Sequence, residues 1–176
     1  ASVHALSSFA PFLLINPGGV MQLGGFGEDQ IYQSSGLTDN GSFDLAGHSE
    51  GFDMLNGTGL VTCSSGASVL ELGQNNGSST FTGAVVDGLG NVSLSKVGTG
   101  TIALIGGNGY SGSTTVNAGK LVVSTANTGD GSYIIGDSAA LGVSVASAND
   151  SLPMNSLSLG STGAATLEFQ NLNSTT

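Results

Sequence analysis

Apolar residues recur along this 176-residue chain in short alternating runs. Phe43/Leu45, Phe52/Met54, Leu60 with Val61, Val69 with Leu70 and Leu72, Phe81, Val85/Val86, Val92/Leu94 and Ile102/Leu104 follow one another roughly every 8–12 residues, as successive short strands do. Leu121/Val123, Tyr133/Ile135, Leu141/Val143/Val145, Leu157/Leu159 and Leu167/Phe169 continue the pattern. Period-two alternation turns one face of each run toward a core. Between the runs lie Gly-rich corners, such as Gly98-Thr99-Gly100, Gly106-Gly107-Asn108-Gly109 and Ala118-Gly119. Glycine is expected there to supply the positive φ of a sharp bend. Three strands per coil make a coil of roughly 22–30 residues, within the range of solenoid repeats. An internal echo agrees: Phe81-Thr82-Gly83 matches Tyr110-Ser111-Gly112 at an offset of 29. The expectation is all-β, a right-handed parallel β-helix of about six or seven coils.

The chain reads as one domain over residues 1–176. Residues 1–40 are expected to be irregular, a cap or the first coils, with an oligomer contact as the alternative for the apolar stretch around Phe9, Phe12 and Leu13. Residues 41–123 hold the regular coils, and residues 124–176 add further ones. No C-terminal cap is legible, which implies a cut-off coil or an end-to-end contact. Asn-Gly pairs at Asn40, Asn56, Asn76 and Asn108 are expected to mark bends, and at least one Asn ladder between coils is expected.

Residues 92–123 carry the most specific signal. Lys96, Gly98, Gly100, Thr101, Leu104, Gly106, Asn108, Tyr110, Ser111, Gly112, Thr114, Thr115, Val116, Asn117, Gly119 and Leu121 fall in a pattern that resembles the autotransporter-associated β-strand repeat of bacterial surface proteins. Ile105 and Gly109 depart from it. Residues 41–62 and 79–88 look like the coils that precede the repeat, so the resemblance covers about two thirds of the chain. It implies a non-catalytic extracellular stalk, scaffold or filament segment at a bacterial surface, with adhesion to a glycan or cell-surface ligand as a further role. Self-association end to end is the partner expected of such a segment.

Composition narrows the function further. Thirty glycines and 8% charged residues suggest disorder, but 39% hydrophobic content in alternating runs argues for a packed core. The only cationic side chains besides two histidines are Lys96 and Lys120, against twelve acids and a net charge of -10. Phosphate neutralisation needs Lys or Arg, so nucleic-acid binding is excluded, as is direct binding to anionic membranes. The acids read as a solvated coat that limits aggregation. Two lysines also leave few sites for trypsin. Cys63 is alone and sits between apolar runs, which places it inward as a small hydrophobe rather than as a reactive thiol. The apolar run 8–15 is broken by Pro11 and is too short to span a bilayer.

Candidate chemistry is sparse. Residues 24–32, GGFGEDQIY, fit one copy of a calcium-binding β-roll nonapeptide, but such sites need tandem copies. Asp29 is therefore expected in a turn. β-Helical glycan hydrolases use clustered carboxylates. The nearest clusters here are Glu28/Asp29, Asp39/Asp44 and Glu50/Asp53, with His48 read as an exposed turn residue and His4 without a partner. Asp130 and Asp137 are expected in solvent-side turns. Thr80/Thr82 and Thr114-Thr115 form only short Thr ranks. The six N-x-[ST] sequons at Asn40, Asn56, Asn76, Asn91, Asn149 and Asn173 reflect composition. No catalytic residue, metal ligand or cofactor site is assigned, and the chain is expected not to be an enzyme.

Overall fold

The computed structural model describes residues 12–31 and 36–171. His4, Phe9, Tyr32 and Asn173 lie outside them. Among the described residues there are eighteen strands and no helix. All strand pairs are parallel, and they form three sheets that wind as a β-solenoid of about seven turns.

The longest sheet stacks β1 (Phe12–Ile15), β3 (Gly36–Asp39), β6 (Met54–Gly57), β9 (Ser79–Phe81), β12 (Thr101–Leu104), β14 (Lys120–Ser124), β16 (Ala140–Ser144) and β18 (Thr166–Gln170). A second sheet holds β2 (Val20–Gln22), β4 (Ser42–Asp44), β7 (Leu60–Thr62) and β10 (Ala84–Val85). The third holds β5 (Glu50–Phe52), β8 (Ala67–Leu72), β11 (Asn91–Lys96), β13 (Thr114–Val116), β15 (Tyr133–Ile135) and β17 (Leu157–Leu159).

Coil length is irregular. Gly36 pairs with Met54, eighteen residues on, while Ala140 pairs with Thr166, twenty-six residues on. The expected 22–30 is thus too long at its lower bound. The 29-residue echo is not the coil register either. Phe81 pairs with Leu104, and Val86 bridges Gly109, each twenty-three residues away.

Period-two alternation does what the sequence implies. In the long sheet, Ser79, Ile102, Leu121, Leu141 and Leu167 form one inward column; Phe81, Leu104, Val123, Val143 and Phe169 form the next. Most of these apolar side chains are fully buried, and Phe43 meets Phe52 edge to face at 5.6 Å. Phe52 and Met54, read as one run, divide at Asp53: the chain turns there from the third sheet into the long one. Asn56 and Gly57 likewise lie within β6 rather than at a bend.

At one corner the glycines have a role other than the expected positive φ. Gly41, Gly59, Gly83 and Gly106 stack at the corner between the long and second sheets without positive φ. A Cβ on Gly83 would lie 2.1 Å from the carbonyl oxygen of Gly59, and one on Gly106 would lie 1.8 Å from that of Gly83. The corner backbones touch, so any side chain would push adjacent coils apart. Gly98 and Gly119, by contrast, do take up positive φ.

β10 is the last strand of the second sheet; beyond it the backbone pairs only through the Val86–Gly109 bridge and single bonds such as Thr128 to Asn108, and side chains reinforce them. Asn108 accepts the Val85 amide through Oδ1 at 2.9 Å, and its Nδ2 donates to Asn127 Oδ1 at 3.0 Å and to the Leu104 carbonyl at 3.1 Å. This is the expected Asn ladder, limited to two rungs. Tyr110 extends the buried polar strip, with its hydroxyl 2.9 Å from that of Thr114.

Candidate functional site

The acidic residues are the natural place to look for chemistry, and the solenoid uses most of them to join coils. Asp44 Oδ1 accepts from the amides of Ala46 and Ser64, both at 2.9 Å. Asp53 Oδ1 accepts from Asn75 at 2.7 Å and Gly77 at 2.8 Å. Asp87 takes the Val92 amide at 2.8 Å and both the amide and hydroxyl of Ser111. Asp137 binds the Ser161 amide at 2.7 Å and the Thr162 hydroxyl at 2.8 Å. Ala46 and Val92 are local partners, but the others lie about one coil further on, so each carboxylate staples its corner to the next. Asn40 and Asn76 make the same contact with Thr58 and Thr99.

This arrangement corrects the reading of the acids as a solvated coat. A carboxylate offers two acceptor oxygens, and a tight corner leaves amides that no strand satisfies. Burial pushes Asp44 and Asp87 up, but the bonds from Ser64, Gln22 and Ala46 to the first, and from Ser111, Val92 and Asn91 to the second, hold both below the usual carboxylate value. The Ser161, Thr162 and Gly163 donors hold Asp137 lower still.

The proposed carboxylate clusters are not brought together as acid–base pairs. Glu28 accepts the Ser49 amide, and Asp29 sits at φ 53 in irregular chain outside any strand. Asp39 is fully buried, facing inward in the column between Ile15 and Gly57, whereas Asp44 ends β4 in another sheet. One Asp39 oxygen accepts from Gly41 at 2.9 Å; the other, Oδ2, is buried without a partner. Burial raises the Asp39 carboxyl. Glu50 bonds the Ile31 amide at 3.0 Å, while Asp53 bonds the next corner. His48 lies half-buried in the turn after β4. Among the described residues, no group of three or more His, Cys, Asp or Glu side chains is placed to hold a metal ion.

Two opposite pH effects follow. Asp44, Asp87 and Asp137 have depressed values, so their stabilisation is present above about pH 4 and is lost as pH falls through the folded values. Asp39 and Glu50 have raised values, so their contribution is full at low pH and is lost as pH rises; for Glu50 the window runs from 4.5 to about 7. Thermal melting monitored by circular dichroism should therefore peak near pH 4–5 and decline on both sides. A maximum above pH 7 would contradict the assignment of Glu50 and Asp39.

Lys96 was expected only as part of a motif, yet it is fully buried, in the inward column of Leu72 and Val116. Its Nζ donates to the carbonyls of Val97, of Gly98 at 2.8 Å and of Ala118 at 3.2 Å. Burial lowers its value, and Asp53 opposes that shift. Lys120 reaches Glu168 across Gly142, whose missing side chain opens the path. Cys63 is inward as expected, with Sγ 2.9 Å from the Ser65 carbonyl. It should react with Ellman's reagent only after denaturant is added; rapid labelling of the native protein would contradict this placement.

Two surface features remain. A polar groove of about 520 Å³ is lined by Ser111, Ser113, Asp130, Ser132, Met154 and Asn155, in the segments that lead into β13, β15 and β17. An apolar recess of about 480 Å³ opens among Val143, Leu152, Met154, Leu157, Leu167 and Phe169 at the last coil. Comparison with family models, curated proteins and solved structures finds no match. Fold and corners together define the chain as a parallel β-solenoid whose carboxylates fasten coil to coil.

Proposed function

We propose that this chain is a structural, non-catalytic segment of a bacterial surface or secreted protein, acting as a stalk, scaffold or filament subunit. The observation that carries the reading is the stapling. Asp44, Asp53, Asp87 and Asp137 each accept a backbone amide of the neighbouring coil, where a glycosidase would need carboxyl groups facing one substrate. The resemblance of residues 92–123 to the autotransporter-associated repeat supports the extracellular setting.

Eight strands spaced about 4.8 Å apart span roughly 34 Å, so one domain is a short block. Self-association end to end would stack the coils of a second copy on the recess around Phe169, which supplies apolar surface for that contact. Analytical ultracentrifugation over a wide concentration range, with negative-stain microscopy, tests this. Growth into extended particles supports the reading, and a monomer at every concentration removes the filament form of it. Release of new reducing ends from a polysaccharide would instead establish an enzyme.

Adhesion is the second reading, and the polar groove favours it. Serine hydroxyls with Asp130 and Asn155 match the hydroxyls of a neutral glycan. Saturable binding on a glycan array, lost in Ser132→Trp, would support that role.

A further inference from the structure

We propose that Asn76 is a latent deamidation site and that the Asp53 staple keeps it closed. Asn-Gly pairs begin at Asn40, Asn56, Asn76 and Asn108. Asparagine is most labile before glycine, which has no side chain to shield its amide nitrogen or restrict its rotation. The reaction is a ring closure. At Asn76 the Gly77 amide gives its proton to hydroxide, and its nitrogen attacks Asn76 Cγ. The N–Cγ bond forms, the Cγ–Nδ2 bond breaks, and Nδ2 takes a proton from water and leaves as ammonia. Water then opens the succinimide to aspartate or isoaspartate.

Close stacking of the corners fixes these glycines in place. A Cβ on Gly77 would lie 2.5 Å from Asp53 Oδ2, and one on Gly41 would collide with the Gly19 carbonyl. The labile pair is therefore built into the fold, and so is its protection. Asp53 Oδ1 accepts the Asn75 amide at 2.7 Å and the Gly77 amide at 2.8 Å, one on either side of Asn76. Asn76 stands at φ 66, and its Oδ1 accepts the Thr99 amide at 2.9 Å and the Thr99 hydroxyl at 3.2 Å from the next coil. Ring closure must strip the proton from an N–H bound to a carboxylate and leave a second negative charge beside the first. It must also pull the side chain away from Thr99. Asn40 repeats the arrangement: Asp39 Oδ1 accepts the Gly41 amide at 2.9 Å, and Thr58 holds the Asn40 side chain. At buried Asn108 the Val85 carbonyl takes the Gly109 amide at 2.8 Å, and Gly57, after Asn56, is paired with Asp39 on one side and Phe81 on the other. Isoaspartate at residue 76 would lengthen the backbone by one methylene where the carbonyls of residues 76 and 77 press against Gly100, so closure of the ring would open the corner.

Peptide mapping by mass spectrometry of the whole chain, aged at pH 8.5 and 37 °C, tests the assignment. Conversion at Asn76 should be slower in the folded parent than in urea by at least about tenfold. Asp53→Ala should speed it in the folded protein by roughly tenfold, the factor carried by one hydrogen bond to a charged acceptor. Asn108, held by other partners, should stay slow in the same digest. Conversion at Asn76 as fast in the folded parent as in urea, no gain in Asp53→Ala, or an equal gain at Asn108 would each overturn the proposal. If Asp53→Ala does not fold, Asp53→Asn decides, because it keeps the acceptor oxygen and loses the charge. A rise confined to Asn76 supports the shield, and no rise, or one shared with Asn108, overturns it.

Discussion

Gly106→Ala is expected to destabilise the protein by on the order of 4 kcal/mol, at or above the upper end of ordinary overpacking penalties. The added methyl would sit 1.8 Å from the carbonyl oxygen of Gly83. The obstruction is backbone, one coil below, and backbone cannot swing aside as a flexible side chain would. Either the corner opens, breaking the Ile105 amide's 3.0 Å bond to the Phe81 carbonyl, or the bends on either side shift. Gly107→Ala is the matched control. Its Cβ would meet nothing closer than the Ala126 carbonyl at 3.5 Å, and Gly107 does not have positive φ. Thermal melts should show a loss of roughly 10 °C or more for Gly106→Ala and almost none for Gly107→Ala. Equal effects would mean that both glycines serve chain flexibility and that the stacked corner is incidental.

Lys96→Met is expected to cost about 3 kcal/mol, read from denaturant unfolding. Methionine keeps the length and most of the apolar stem, so packing against Leu72 and Val116 is largely preserved. The carbonyls of Val97, Gly98 and Ala118 lose their shared donor while remaining at a closed corner. Removing one side of a buried polar contact leaves the other side desolvated, which is why the loss exceeds the net worth of a hydrogen bond. Lys96→Ala adds a cavity, and should cost about 2 kcal/mol more. The same burial shields the Lys96–Val97 bond from trypsin, and Lys120 is tied to Glu168. Native protein should therefore survive trypsin with its Lys96 bond intact. Cleavage there without prior unfolding, or a Lys96→Met variant as stable as the parent, would show the ammonium to be outside the corner.

The two residues also mark where sequence reading stops. Gly106 was legible as a corner glycine, but its reason was misassigned, because a φ requirement and a close approach call for the same residue. Lys96 alternates with Leu94 and Val92 and so belongs to the inward face by period alone. A charged side chain in that position reads as solvated until the ring of carbonyls that receives it is known. Asp39 is a similar case: its neighbours Leu37 and Ile15 are core residues, yet its place among them depends on the Gly57 and Gly59 of the following coil leaving room.

The carboxylate staples escaped sequence reading for a related reason. Asp44 and Ser64 are twenty residues apart, whereas Asp53 and Gly77, or Asp137 and Ser161, are twenty-four apart, and coils here vary from eighteen to twenty-six residues. No fixed period therefore links a staple to its target. The echo between Phe81 and Tyr110 misleads by the same irregularity, since an apparent repeat in residue types need not be a repeat in space.

The chain by itself determined that it is all strand, which side chains fill the interior of most coils, that Cys63 points inward, and that cationic surfaces are absent. Those properties depend on local alternation and on composition, and both are complete in the order of residues. Only the tertiary structure decided which coil lies over which, why the corner residues are glycine, and that the acids bind backbone rather than water. Those are contacts between segments a variable number of residues apart, and the distance that governs them is the spacing between stacked strands.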